Sequence, residues 1–200
     1  MTTPAPVPLA QSSTAQASWR YTHTAMLLHW IIAVLVIGNV VLGLSADSLP
    51  DDWVRPVIDT HKSIGITVLC LVLLRILWRV SHRAAAVAGR LSGLGTAAAH
   101  VAHFVLYLLM IGLPLSGWLH DSAWKDAATH PMRLFNLFPW PRIGYVTRLD
   151  PALKESLHDR FGAPHAWLGY ALYAMLLMHV GGALKHQWID RKSVLKRMVP

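Results

Sequence analysis

Twelve histidines in a chain of 200 residues are many, and four of them are placed where imidazole nitrogens would have to serve as metal ligands. The stretch "HAWLGYALYAMLLMH" begins at His165 and ends at His179, with thirteen uncharged residues between them. As a helix it separates the two rings by ~21 Å along the axis and returns them to nearly the same face. Two more histidines sit at matching depths in other apolar stretches: His61 beside the level of His165, and His29 beside that of His179. An imidazole in hydrocarbon needs a partner, because an unsatisfied polar group there costs several kcal/mol. Bis-imidazole ligation of a haem iron supplies one, since the iron accepts a neutral nitrogen from each face of a large apolar plate. The expected pairs are His61 with His165 and His29 with His179. Small residues one turn away offer room for the plate: Gly65, Gly169, Gly181 and Gly182. The alternative is a set of core histidines bonded to carbonyls, with the glycines serving close helix packing; four rings at two matched depths favour haem.

The elements that must hold these residues are transmembrane helices. The sequence is 54% hydrophobic and only 14% charged, a composition that places it in the membrane class. Four apolar runs are long enough to cross a bilayer, at about Met26–Leu44, Ile64–Val80, Val101–Leu119 and Trp167–Leu184. His61 opens the second run and His165 the fourth. The fold class expected is an all-α integral membrane four-helix bundle over residues 20–200, preceded by a disordered tail at 1–19 that lacks the pattern of a signal peptide. Residues 45–60 read as a short loop, and 120–163 as a long link. In that link "DPALKESLHDRFG" reads as a short interfacial helix with Asp150 as N-cap and Pro151 in its first turn. Pro114 and Gly117 should loosen the third helix.

The net charge of +8 is not a nucleic-acid footprint, because the bases cluster at the ends of apolar runs. Arg20, Arg75, Arg79, Arg83, Arg90, Lys185, Arg191, Lys192, Lys196 and Arg197 fall on one side against a single acid, Asp190. The positive-inside rule therefore puts both termini in the cytoplasm and makes lipid a partner. The lone Cys70 lies within an apolar run and forms no intrachain disulfide. His82, His120, His130 and His158 fall in loops or at span ends, where solvated rings are the default.

The segments "YTHTAMLLHW", "PVIDTHKSIGI", "AHVAHFVLYLLMIGLPLSGW", "PHAWLGYALYAMLLMHVGGALKH" and the closing "LKRMVP" resemble those of the bacterial cytochrome b561 family over residues 20–200. The resemblance implies a dihaem protein of the inner membrane with His29, His61, His165 and His179 as axial ligands to two haem b groups. It also implies electron transfer from superoxide, or another small periplasmic donor, to ubiquinone. Lys62, Lys154 and Arg160 would then steer an anionic donor electrostatically. Lys62 has a second reading, as a partner of a haem propionate or a lipid phosphate. His100, His103 and His186 would stand beside the inner haem or bond a quinone, with Trp19, Tyr21 and Lys185 as further candidates at that end. Two rival functions remain at this level. One is a membrane anchor relaying electrons between quinone and a soluble redox partner protein. The other is a haem-free metal transporter, against which stands the lack of acids inside the spans.

Overall fold

The computed structural model describes residues 22–82 and 94–191. Four long helices dominate it: α1 (His23–Ser45), α2 (Asp51–Ser81), α3 (Leu94–Ser122) and α5 (Pro151–Trp188). Each contains a window apolar enough to cross a membrane, and the architecture is the expected all-α bundle. The N-terminal tail, most of the 81–99 connection and the closing "LKRMVP" lie outside the described residues.

Local signals explain where the helices begin and end. Thr22 caps α1 by accepting the Ala25 N–H at 3.3 Å. A single 3-10 turn at Ala46–Ser48 and Pro50 then reverse the chain. Asp51 and Asp52 occupy the first turn of α2, where carboxylates oppose the positive helix end. The C-terminus of α2 closes at His82, whose N–H bonds to the Trp78 carbonyl and whose ring stacks on Trp78 at 3.8 Å.

Two expectations fail at the end of the bundle that carries the long link, called the link end here. Residues 51–60 are helical, because Asp and Pro suit a first turn as well as a loop and Arg55–Asp59 bridges one turn at 3.2 Å. The "DPALKESLHDRFG" stretch is no separate interfacial helix either. Asp150 does cap it, accepting the Ala152 N–H at 2.9 Å, but the helix runs on through Pro164 to Trp188. Consequently His61 and His165 do not open their helices; each lies ten or more residues inside. Pro114 also sits within a continuous α3.

At 1.5 Å per residue, α2 and α5 extend to ~46 Å and ~57 Å. Both exceed a hydrocarbon layer of about 30 Å, and the link folds against the overhang. It contains a 3-10 segment (Lys125–Ala128), a two-stranded hairpin of β1 (Arg133–Leu134) with β2 (Phe138–Pro139), and the one-turn α4 (Gly144–Thr147). Phe135 and Asn136 both take positive φ, 50° and 58°, as a tight hairpin turn of the primed type demands. Ser63 holds this turn to α2: its hydroxyl donates to the Asp59 carbonyl at 2.7 Å and accepts the Phe135 N–H at 2.9 Å. Ser122 does the same for α3, donating to Trp118 O and accepting from Ile143 N. Both serines are fully buried.

The core joins Ile32 and Val36 of α1, Val68 and Val72 of α2, Leu106 and Leu109 of α3, and Leu172 of α5. In a bilayer such contacts act by packing rather than by removal from water. Close backbone approach is strongest for α3 with α5, α1 with α2, and α2 with α3. Helix α5 stands further from α1 and α2, and the histidine pairs lie across those wider interfaces.

Candidate haem-binding sites

The link-end site is formed by His61 of α2 and His165 of α5, whose ring centroids are 6.2 Å apart with planes at 83°. Each ring is tied at Nδ1. His61 Nδ1 lies 3.0 Å from the Asn39 carbonyl, which can only accept, so this nitrogen carries the proton. His165 Nδ1 lies 3.0 Å from Ser116 Oγ, and that hydroxyl already donates to the Leu113 carbonyl at 2.9 Å. The serine oxygen therefore accepts from His165. With the rings neutral, both are Nδ1–H tautomers whose Nε2 lone pairs are left for a metal, the arrangement typical of metal-ligating histidine.

The rings also press against glycines on neighbouring helices. A Cβ on Gly43 of α1 would lie 3.2 Å from His61 Cε1, and one on Gly117 of α3 would lie 3.1 Å from His165 Cε1. Of the glycines singled out from sequence, Gly65 faces Asn39 and Gly169 faces the Tyr173 hydroxyl, whereas Gly181 and Gly182 have open space where a Cβ would go. Those four lie on the histidines' own helices; the cradle is made by the helices opposite.

The site near the chain termini pairs His29 of α1 with His179 of α5, at 6.4 Å between centroids and 82° between planes. His103 of α3 adds a third ring 5.1 Å from His179, and Trp30 lies 5.4 Å from His29. Arg75 of α2 is an electrostatic neighbour of His29, His103 and His179. His100 is exposed on α3. His186 turns away to Asp190, with Nδ1 2.6 Å from the carboxylate, and Lys185 reaches the same oxygen at 3.5 Å. The hydrogen bond from His186 holds the Asp190 carboxyl below the usual range. Trp19 and Tyr21 lie outside the described residues.

Whether these pairs suit a haem is decided by spacing and by donor number. A metal–imidazole bond of roughly 2.0–2.1 Å on each side, plus about 1.2 Å from nitrogen to ring centre, sets two such centroids about 6.4 Å apart. The observed 6.2 and 6.4 Å match this. No cluster of three or more His, Cys, Asp or Glu suited to a metal exists among the described residues. Two protein donors at each site suit an ion whose other ligands come with the cofactor, as a porphyrin's four nitrogens do. The donor set thus fits haem better than a bare metal ion, which would require a third or fourth side chain.

The cations expected to steer a donor are placed differently from one another. Lys62 is bound by Asp121 at 2.6 Å and Asp59 at 3.5 Å, so its charge is matched by carboxylates. Asp121 also takes Arg142 at 2.8 Å, joining α2, α3 and the link at one buried point. Lys154 is buried, and Arg160 is exposed. His120 and His158 are not the solvated rings their positions suggested. They stack at 3.8 Å, and each Nδ1 donates to the other's carbonyl at 2.9 and 3.0 Å. Gly162 lets His120 lie against α5, since a Cβ there would be 3.2 Å from the ring. His158 lies seven residues before His165 on the same helix, but its partner His120 is on α3, and nothing in the spacing along α5 points to it.

The sequence model of the family described as prokaryotic cytochrome b561 matches residues 20–200. The chain is similar to "Cytochrome b561 homolog 2" of Escherichia coli (strain K12), 34% identical over 182 residues, covering 90% of this chain and 91% of that one. It is also similar to "Probable superoxide oxidase CybB" of Yersinia pestis, 26% identical over 188 residues, covering 90% and 96% of the two chains. With the family come electron transfer in a bacterial membrane and b-type haem, and the chain belongs to the prokaryotic cytochrome b561 family.

Proposed function

We propose that the protein carries electrons between two haem b groups, one at each histidine pair, and transfers them from a small donor at the link end to ubiquinone near the other. The observation that carries this reading is the sharing of α5 by two imidazole pairs of nearly equal separation, 6.2 and 6.4 Å. Haem, when bound, supplies reversible one-electron chemistry. The chain's own residues fix the rest. Asn39 O and Ser116 Oγ hold the protons of His61 and His165 on Nδ1, which leaves each Nε2 as the nitrogen that would bind the iron. With two imidazoles on an iron already held by a porphyrin's four nitrogens, no coordination position would stay open, so transfer at an exposed edge is the mode expected rather than oxygen binding.

Superoxide as the donor is supported by the printed name of the Yersinia pestis relative and by exposed Arg160 at the link end. A soluble partner protein at the same face is the alternative donor. The charge asymmetry of the sequence supports cytoplasmic termini and a periplasmic link. Ubiquinone would meet the site of His29 and His179, where His103 stands closest to His179 and His186 lies two turns on.

The test is a pyridine haemochrome assay on detergent-purified protein. Two b haems per chain are expected, followed in stopped flow by oxidation of superoxide coupled to quinone reduction. One haem or none in protein expressed with ample haem precursor rejects the two-site reading. Two haems with no superoxide reactivity reject only the donor.

A further inference from the structure

The link holds a recess that the histidine pairs do not use. It has a volume of about 410 Å³, within the range of small-molecule pockets of roughly 300–1,000 Å³. Ala127, Ala128, Pro131, Met132 and Pro139 give it apolar walls, and Trp140, Arg142, Thr147 and Lys154 complete the lining. Two of these residues carry donors that no protein acceptor takes up. Lys154 is only 9% exposed, and no carboxylate pairs with it among the described residues. Arg142 is the second: Nε is bound to Asp121 and Nη1 to the carbonyls of Ala127 and His130, leaving Nη2 with no acceptor.

No acid lines the recess, so its polar lining consists mainly of donors, and the occupant must bring acceptor oxygens and negative charge. Ammonium and guanidinium donors around an apolar pocket are the chemistry that holds a phosphate. The recess is separate from the haem pair. Lys154 precedes His165 by eleven residues on one continuous helix, ~16 Å along its axis, and helical side chains lean toward the N-terminus, away from that histidine. It lies beside the first turn of α5 and beyond the end of α3, at the depth where Trp118 and Trp140 make an interfacial aromatic pair at 6.0 Å. We propose that this recess is a phosphate-binding site at the membrane surface, with Lys154 and Arg142 as its donors. The phosphate comes either with a lipid headgroup, whose glycerol and upper chains the apolar walls would accommodate, or as a free ion.

The test uses the full, haem-loaded chain in detergent. Native mass spectrometry measures retention of phosphatidylglycerol against diacylglycerol, which lacks the phosphate, and calorimetry measures binding of inorganic phosphate. Lys154→Met and Lys154→Gln are compared with the unmodified protein, with haem absorbance and elution volume reporting folding. One phosphatidylglycerol per chain, weakened about tenfold by either substitution, establishes a lipid site. Inorganic phosphate bound with the same dependence, and no preference for phosphatidylglycerol, establishes a free-ion site. If Lys154→Met does not fold, Lys154→Gln decides, since it removes the charge and keeps a polar end. Equal retention and equal phosphate binding in all folded variants overturn the proposal.

Discussion

The two histidine pairs share α5 and nearly the same ring separation, yet their surroundings hold them differently. At the link end both Nδ1 atoms are tied, to Asn39 O and Ser116 Oγ, and two glycines on facing helices bring backbone against the rings. The link closes over that end through Ser63, Ser122 and Asp121. At the other end, among the described residues, neither His29 nor His179 has a ring hydrogen bond. Three imidazoles gather there instead, with Arg75 nearby. The first pair is fixed by geometry, whereas the second is governed by neighbouring rings and charge. The contrast suits a bundle that meets a small solute at one face and a membrane-borne ring at the other.

The largest effect that would break the comparison is loss of a ligand. His165→Ala should reduce haem from two per chain to one and leave the His29–His179 site filled; His29→Ala should do the reverse. Haem counts with redox titration decide it, and unchanged counts would refute the pairing. Next is Asp121→Asn, which takes the carboxylate from Arg142 and leaves Lys62 with Asp59 alone. Breaking a buried ion pair costs about 3–5 kcal/mol, so thermal unfolding should shift strongly while the haem of His29 and His179 is retained. Ser116→Ala removes the acceptor that fixes the His165 tautomer, and haem should leave the link end about tenfold more readily. Gly117→Ala should act on the same site, because its Cβ meets the His165 ring, whereas Gly181→Ala should leave both sites unchanged. The smallest effect concerns the donor. Arg160→Glu should slow an anionic donor roughly two- to threefold at low ionic strength and not at all in high salt. Lys62→Glu is a poorer probe of steering, since it would set a second carboxylate against Asp121.

The spans and the two pairs were legible because hydropathy and a fourteen-residue spacing are properties of single segments. Thirteen apolar residues between His165 and His179 specify a depth and a face without reference to any neighbour. What could not be read depended on contacts between distant segments. Residues 51–60 read as part of a loop and "DPALKESLHDRFG" as a separate helix, but α2 and α5 run unbroken through Pro56 and Pro164. Gly43 and Gly117 gave no local sign of touching rings on other helices. His120 and His158 are 38 residues apart, and only the antiparallel contact of α3 with α5 brings each ring to the other's carbonyl. Lys154 looked like a surface cation from its position in a polar stretch. The fold of the hairpin and of the Trp140 segment buries it.

The unbroken course of α5 has a consequence for how the gene can change. Loops accept inserted or deleted residues readily, but the segment between His165 and His179 cannot. One added residue would turn everything beyond it by about 100° and advance it by about 1.5 Å, so one imidazole would leave its partner while the other stayed. Substitution is open to Leu172 and its neighbours, within the limits of packing. A change of length there would cost the molecule one of its two sites.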